Sequence, residues 1–254
     1  MWRTLRLALL LMVLFCVAFT AFVERERSVS WRSPLWVGIF PVAGDTSERT
    51  SGHVAGLSSQ DFQPIADFMR LEAARRGRSG DVLRLRLHPG PFPPPPERSA
   101  SHGAVANVLW SLRLRWYAWR HMSRIEGPPP TVRLFVIYHD PARTVKVPHS
   151  VGLQKGLIGV VHVFATRDSQ GSNQVVIAHE LLHTLGATDK YGADDLPLWP
   201  DGYGDPAQQP RLPQRRAELM AGRRAISEHV AEIPAGLDEV VIGDATAREI
   251  RWAP

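Results

Sequence analysis

The chain has 254 residues, 44% of them hydrophobic and 22% charged, which suits one globular body with a short appendage. Its net charge of +5 comes almost wholly from arginine, with lysine only at positions 146, 155 and 190; the arginines are scattered, no nucleic-acid reader motif accompanies them, and nucleic-acid binding is not expected. The single cysteine, Cys16, excludes an intramolecular disulfide and a cysteine metal cluster, so a metal would have to be held by His, Asp or Glu.

Residues 7–23 (LALLLMVLFCVAFTAFV) run apolar without a charge after Arg3 and Arg6, at the short end of what spans a bilayer. Cleavage after Ala21 or Ala18 would put Phe19 or Cys16 where a signal peptidase wants a small residue, so residues 1–23 read as an uncleaved signal anchor, a transmembrane helix. A short N-terminal tail stays in the cytoplasm, which puts the body in the periplasm or at the cell exterior. Residues 24–34 read as a linker and 35–42 (LWVGIFPV) as a first strand. The Gly, Ser and Thr of 44–59 read as loop. In 60–76, Phe62, Ile65, Phe68, Met69 and Leu71 fall at helical steps. Residues 82–88 alternate as a half-buried strand, and 89–96 (PGPFPPPP) form a stiff, extended loop. Residues 104–123 form a long helix. Its Trp and Arg content suits a membrane interface, although packing on a sheet is the plainer expectation. Two more strands follow at 131–139 and 156–166. After Tyr191 the chain is rich in Pro and Gly, with one further helix near 244–251 that Asp244 can cap. This order is an α/β or α+β pattern.

The informative stretch is 172–191, SNQVVIAHELLHTLGATDKY. Ser172 or Asn173 can cap a helix that Gly186 stops. His179 and His183, four apart, share one face and can bind one metal ion, with Glu180 beside them to act on a water. In a chain of this composition HExxH alone is roughly a 2% coincidence; with Gly186 and Asp189 at their positions it falls to roughly one in ten thousand. A sharp turn at Gly186 would return Asp189 to the metal as third ligand, leaving a fourth position open. Glu218, Asp194, Asp195 and His229 are rivals for that place. His139 and His162 sit in strands and read as structural. Asp194, Asp195, Asp201 and Asp205 match no calcium-binding pattern.

The string HExxHxxGxxD resembles the extended motif of the metzincin clan of zinc metallopeptidases, with Asp189 where a third histidine usually stands, as in the snapalysin-type bacterial proteases. The resemblance is specific over 172–222. It implies an α+β zincin fold, with an α/β-like, mixed-sheet upper subdomain over 35–189 and a small irregular lower subdomain over 190–254 ending in a helix. With that fold go zinc held by His179, His183 and Asp189, Glu180 as general base, and a methionine turn beneath the metal at Met220. It also implies that the strand before the motif helix, 156–166, is the sheet edge that pairs with substrate. Tyr191 and Tyr203 are candidate oxyanion donors. The expected activity is hydrolysis of protein or peptide substrates. The alternatives are a membrane-tethered zinc-binding assembly protein with little turnover, and a zinc hydrolase of a non-peptide, cell-wall amide.

Overall fold

A computed structural model describes residues 2–90, 92–98, 103–122 and 129–252. The chain folds as a mixed α+β structure around a five-stranded sheet in the order β2-β1-β3-β5-β4. β1 (Leu35–Ala43), β2 (Leu83–Leu87), β3 (Val132–His139) and β5 (Ile158–Phe164) are parallel, and β4 (Val151–Leu153) closes one edge antiparallel to β5. β3 is buried almost throughout because both faces of a parallel sheet are covered, which is why its sequence reads as a nearly unbroken apolar run.

Helices α2 (Glu48–Ala55), α3 (Gln63–Ala74) and α5 (Gln170–Leu185) lie on one face; α3 and α5 pack there on Val37, Ile39, Leu134, Val136 and Val161. Helix α4 (Ala104–Met122) covers the other, with Trp110, Leu114, Tyr117 and Ala118 on Phe40, Phe135, Ile137 and Val160. Residues 93–98 have no regular structure and run beside α4, where Trp110 Nε1 donates to the Pro96 carbonyl at 2.8 Å and the Tyr117 hydroxyl donates to that of Pro93. Pro91, Ser123 and the segment 99–102 lie outside the described residues.

Several expectations are corrected. Part of 44–59 is helix rather than loop: Ser47 accepts from the Thr50 amide at 3.1 Å as an N-cap, Thr50 is buried, and the ring of His53 packs on Tyr138, so capping and tertiary contact override weak propensity. The strand before the motif helix is interior; the edge is the three-residue β4, too short and too glycine-centred to show a period-two pattern. The expected linker 24–34 is partly ordered, since α1 (Trp2–Ser28) runs into it and Trp31 packs on Trp252 while bonding the Ile250 carbonyl. Motif helix α5 starts earlier than expected, and Asn173 is inside it, tying the Phe164 backbone through both side-chain atoms.

The C-terminal region holds two small two-stranded sheets, β6 (Ala217–Glu218) with β9 (Val240–Val241) and β7 (Arg224–Ala225) with β8 (Ala231–Glu232), before α6 (Asp244–Glu249). Leu219, Met220, Val240, Ile242 and Ile250 join the same buried cluster as α3 and α5, so one core ties this region to the sheet. Among the described residues no helix is long and apolar enough to cross a membrane. The side chains at 13, 16, 17, 20 and 21 within the apolar run of α1 lie outside the described ones, and Leu7, Leu10, Leu14, Phe15 and Phe19 along it are exposed.

Candidate metal centre

His179, Glu180 and His183 form a His–Glu–His cluster that could hold a metal ion, their candidate ligand atoms all within 4.8 Å of one another. α5 puts the two imidazoles on one face, and Gly186, at φ +103, ends it. The chain then folds back. Ala187 N donates to the Leu182 carbonyl at 3.0 Å, and the Ala187 carbonyl accepts from His183 Nδ1 at 2.8 Å. His179 Nδ1 meets the Leu219 carbonyl at 2.9 Å. A carbonyl only accepts, so both Nδ1 atoms must carry the proton, and in the neutral rings both Nε2 atoms present lone pairs.

Those lone pairs face a carboxylate. Asp189 Oδ1 lies 3.2 Å from His179 Nε2 and 3.1 Å from His183 Nε2. Three acceptors this close repel unless a cation or protons lie among them. Two ligand atoms about 2.0–2.1 Å from a tetrahedral zinc are about 3.3 Å apart, which matches both separations. Burial would raise the Asp189 carboxyl, but where the two Nε2 atoms are protonated their hydrogen bonds and charge hold it well below the usual carboxylate range. Burial likewise opposes charging of His183, yet Asp189, Glu180 and the Ala187 carbonyl outweigh it and raise its pKa. The donor set thus fits a divalent cation that takes nitrogen and oxygen ligands.

Glu180 is buried, and burial pushes its pKa up. Its Oε2 has no hydrogen-bond partner, an open acceptor next to the two imidazoles. Tyr191 lines a cleft that His179 and Glu180 also border, with its ring centre 6.5 Å from that of His179; burial and the adjacent Asp189 push its hydroxyl up to about 12, so it holds its proton at neutral pH.

Other side chains are placed elsewhere. Tyr203 is buried against a separate depression with Glu72 and Asp205 and does not reach the cleft. Its place in a Pro/Gly-rich loop carried no information about direction. Glu218 is fully buried, and its oxygens accept from Ala221 N, Gly243 N and Thr246 Oγ1 at 3.0, 3.1 and 2.7 Å, so it braces the C-terminal fold. Met220 is fully buried in the tight turn Leu219–Ala221, whose first carbonyl orients His179. Asp194 and Asp205 each accept a backbone amide two residues on, as turn formers. His139 and His162 bond one another at 2.9 Å across β3 and β5, and His162 also lines the cleft that borders His179 and Glu180.

Three contributors escaped the sequence reading. Gly152 in β4 lies so close to α5 that a Cβ there would sit 2.5 Å from the Glu180 carbonyl oxygen and 2.5 Å from His183 Cβ. Lys190, buried, clamps the turn after Asp189 by bonding both Glu249 oxygens at 2.8 and 2.9 Å, while its amide donates to the Met220 carbonyl. Residues 145–150 form the far wall of a cleft of about 650 Å³ that also borders Val175, His179, Glu180 and Tyr191. Of these, only the glycine and the rarity of lysine were visible in the sequence, and neither names a role.

Compared with known proteins, the chain matches no family model and no curated protein. The functional reading therefore stands on the side chains.

Proposed function

We propose that this chain is a zinc-dependent metallopeptidase of the zincin type, tethered by α1, with its body on the extracytoplasmic side. The observation that supports it best is the convergence of two Nε2 lone pairs and the Asp189 carboxylate beside a buried Glu180 with an open oxygen. His179, His183 and Asp189 would hold the metal, and the carbonyls of Leu219 and Ala187 fix their tautomers, as outer-shell partners do in metal sites. Bound zinc supplies Lewis acidity, polarising the scissile carbonyl and making a water acidic near neutral pH. Glu180 Oε2 takes the proton of the attacking water and hands it to the leaving amine. The low-dielectric surroundings that raise its pKa also strengthen its hold on that proton. Tyr191, protonated at neutral pH and hydrogen-bonded to Asp189, would donate to the developing oxyanion by exchanging that partner. The cleft beside the antiparallel edge β4 has room for an extended peptide.

The test is zinc stoichiometry and peptide-library cleavage on the full chain in detergent. Wild type should carry one zinc per chain and cleave. His183→Ala should lose the metal and Asp189→Ala should hold it more weakly, whereas Glu180→Gln should keep zinc and lose at least about a hundredfold in rate. A folded wild-type protein that binds no zinc would refute the proposal, as would cleavage untouched by Glu180→Gln.

A further inference from the structure

α4 has two apolar faces. The inner one packs on the sheet. The outer one carries Val105, Val108, Leu109, Leu112, Trp116 and Trp119, each 50–73% exposed. At 100° per residue these six fall within one arc of about 100°, so they form a continuous stripe rather than scattered exceptions. Soluble surfaces rarely present that many large side chains contiguously.

The charges beside the stripe narrow what can cover it. α4 contains three arginines and no acid. Arg113 and Arg120 flank the stripe on one side and Arg115 on the other; the Arg120 guanidinium lies 5.3 Å from the centre of the Trp116 ring. Two copies meeting through this face would bring six arginines together with no carboxylate from the helix to answer them. A surface of acyl chains under anionic headgroups satisfies both features: tryptophans and aliphatic side chains enter the interface, and arginines reach the headgroups.

Position agrees. Arg115 Nη2 donates to the Lys155 carbonyl at 2.9 Å, which places this turn of α4 at the N-terminal end of β5. β1 begins at the same edge of the parallel set, and the chain reaches it from α1. Trp116 and Trp119 thus lie towards the edge from which the apolar N-terminal helix departs.

We propose that the outer face of α4 is a membrane-interface surface that lies on an anionic bilayer. The test uses the full chain with Cys16→Ser and a single reporter cysteine, either Leu112→Cys in the stripe or Glu228→Cys in an exposed loop of the C-terminal region, each carrying an environment-sensitive dye. Vesicles are phosphatidylcholine alone or phosphatidylcholine with phosphatidylglycerol, with brominated acyl chains as quencher. The dye at 112 should be quenched several-fold more strongly than the dye at 228, more so with phosphatidylglycerol. The pair Val108→Glu and Trp116→Glu, which changes only solvent-facing positions, should abolish the difference while zinc content and circular dichroism stay as in wild type. Two results would overturn the proposal: equal, weak quenching at 112 and 228 on protein that floats with the vesicles, and a concentration-dependent blue shift at 112 without lipid, which would mean a second copy covers the stripe.

Discussion

Gly186→Ala probes whether the turn after the motif helix assembles the metal site. Gly186 sits at φ +103, a left-handed conformation in which an L side chain costs about 1–2 kcal/mol. Its Cβ would lie 2.3 Å from Gln154 Nε2, the far end of a flexible side chain that can swing away, so the contact adds little beyond the backbone cost. For a body of this size each kcal/mol lowers Tm by about 2–4 °C, giving an expected loss of about 2–8 °C by calorimetry in the presence of chelator. The functional effect should be larger. The next residue supplies the carbonyl that fixes the His183 tautomer, and Asp189 is two residues beyond that. Shifting such a partner costs about 10–100-fold in metal affinity, read by zinc competition against a chelating dye. Adding Gln154→Ala should leave most of the Tm loss in place. If Gly186→Ala kept wild-type Tm and zinc affinity, or if Gln154→Ala restored both, the turn would not be what positions Asp189 beside the two histidines.

Gly152→Ala would drive a Cβ into the α5 backbone and should push β4 off the helix, costing about 1–3 kcal/mol and most of the proposed peptide hydrolysis; an unchanged rate in a cleaving wild-type background would refute the close packing of edge and site. Glu218→Ala leaves three donors without their acceptor and should cost about 3 kcal/mol, at roughly 1 per lost bond, seen as a fall in thermal midpoint of about 6–12 °C; a change below about 2 °C would rule out the bracing role. Burial would raise the Asp61 carboxyl, but Gln170, Ser58 and Arg167 hold it at about 2, below its unfolded value of about 3.9, so its stabilisation is present above pH 4 and lost as pH falls through about 2. Asp61→Asn should therefore melt below wild type at pH 7 with a gap that closes between pH 4 and pH 2, and a gap constant across that window would refute the linkage.

What was legible in the sequence was local. The run 131–139 has no rival reading as a strand, and HELLH followed by Gly186 identifies its helix and the face its histidines share. What was not legible depends on contacts far along the chain. β4 exists because Val151–Leu153 pair with β5, and its three residues are too few for a pattern. The tautomer of His179 is set by a carbonyl 40 residues away, and Lys190 is buried by a glutamate 59 residues away. Helix α2 escaped notice because Gly, Ser and Thr read as loop, while Ser47 and the tertiary contacts of Thr50 and His53 decide otherwise.

Those distant contacts explain why a mostly irregular C-terminal region matters to the candidate metal centre. α5 alone supplies His179, Glu180 and His183, but it fixes neither ring orientation nor the path of the chain after Gly186. The Leu219 carbonyl orients one histidine, and the Met220 carbonyl with the Lys190–Glu249 clamp pins the turn that carries Asp189. Both depend on the turn that Glu218 braces against α6 through Thr246. The motif helix rests on the sheet as a rigid platform, whereas the placement of the Asp189 carboxylate and the tautomer of His179 depend on the C-terminal region folding onto it. If Asp189 joins the two histidines at a metal, metal affinity should then follow the integrity of that region more closely than the stability of the sheet does.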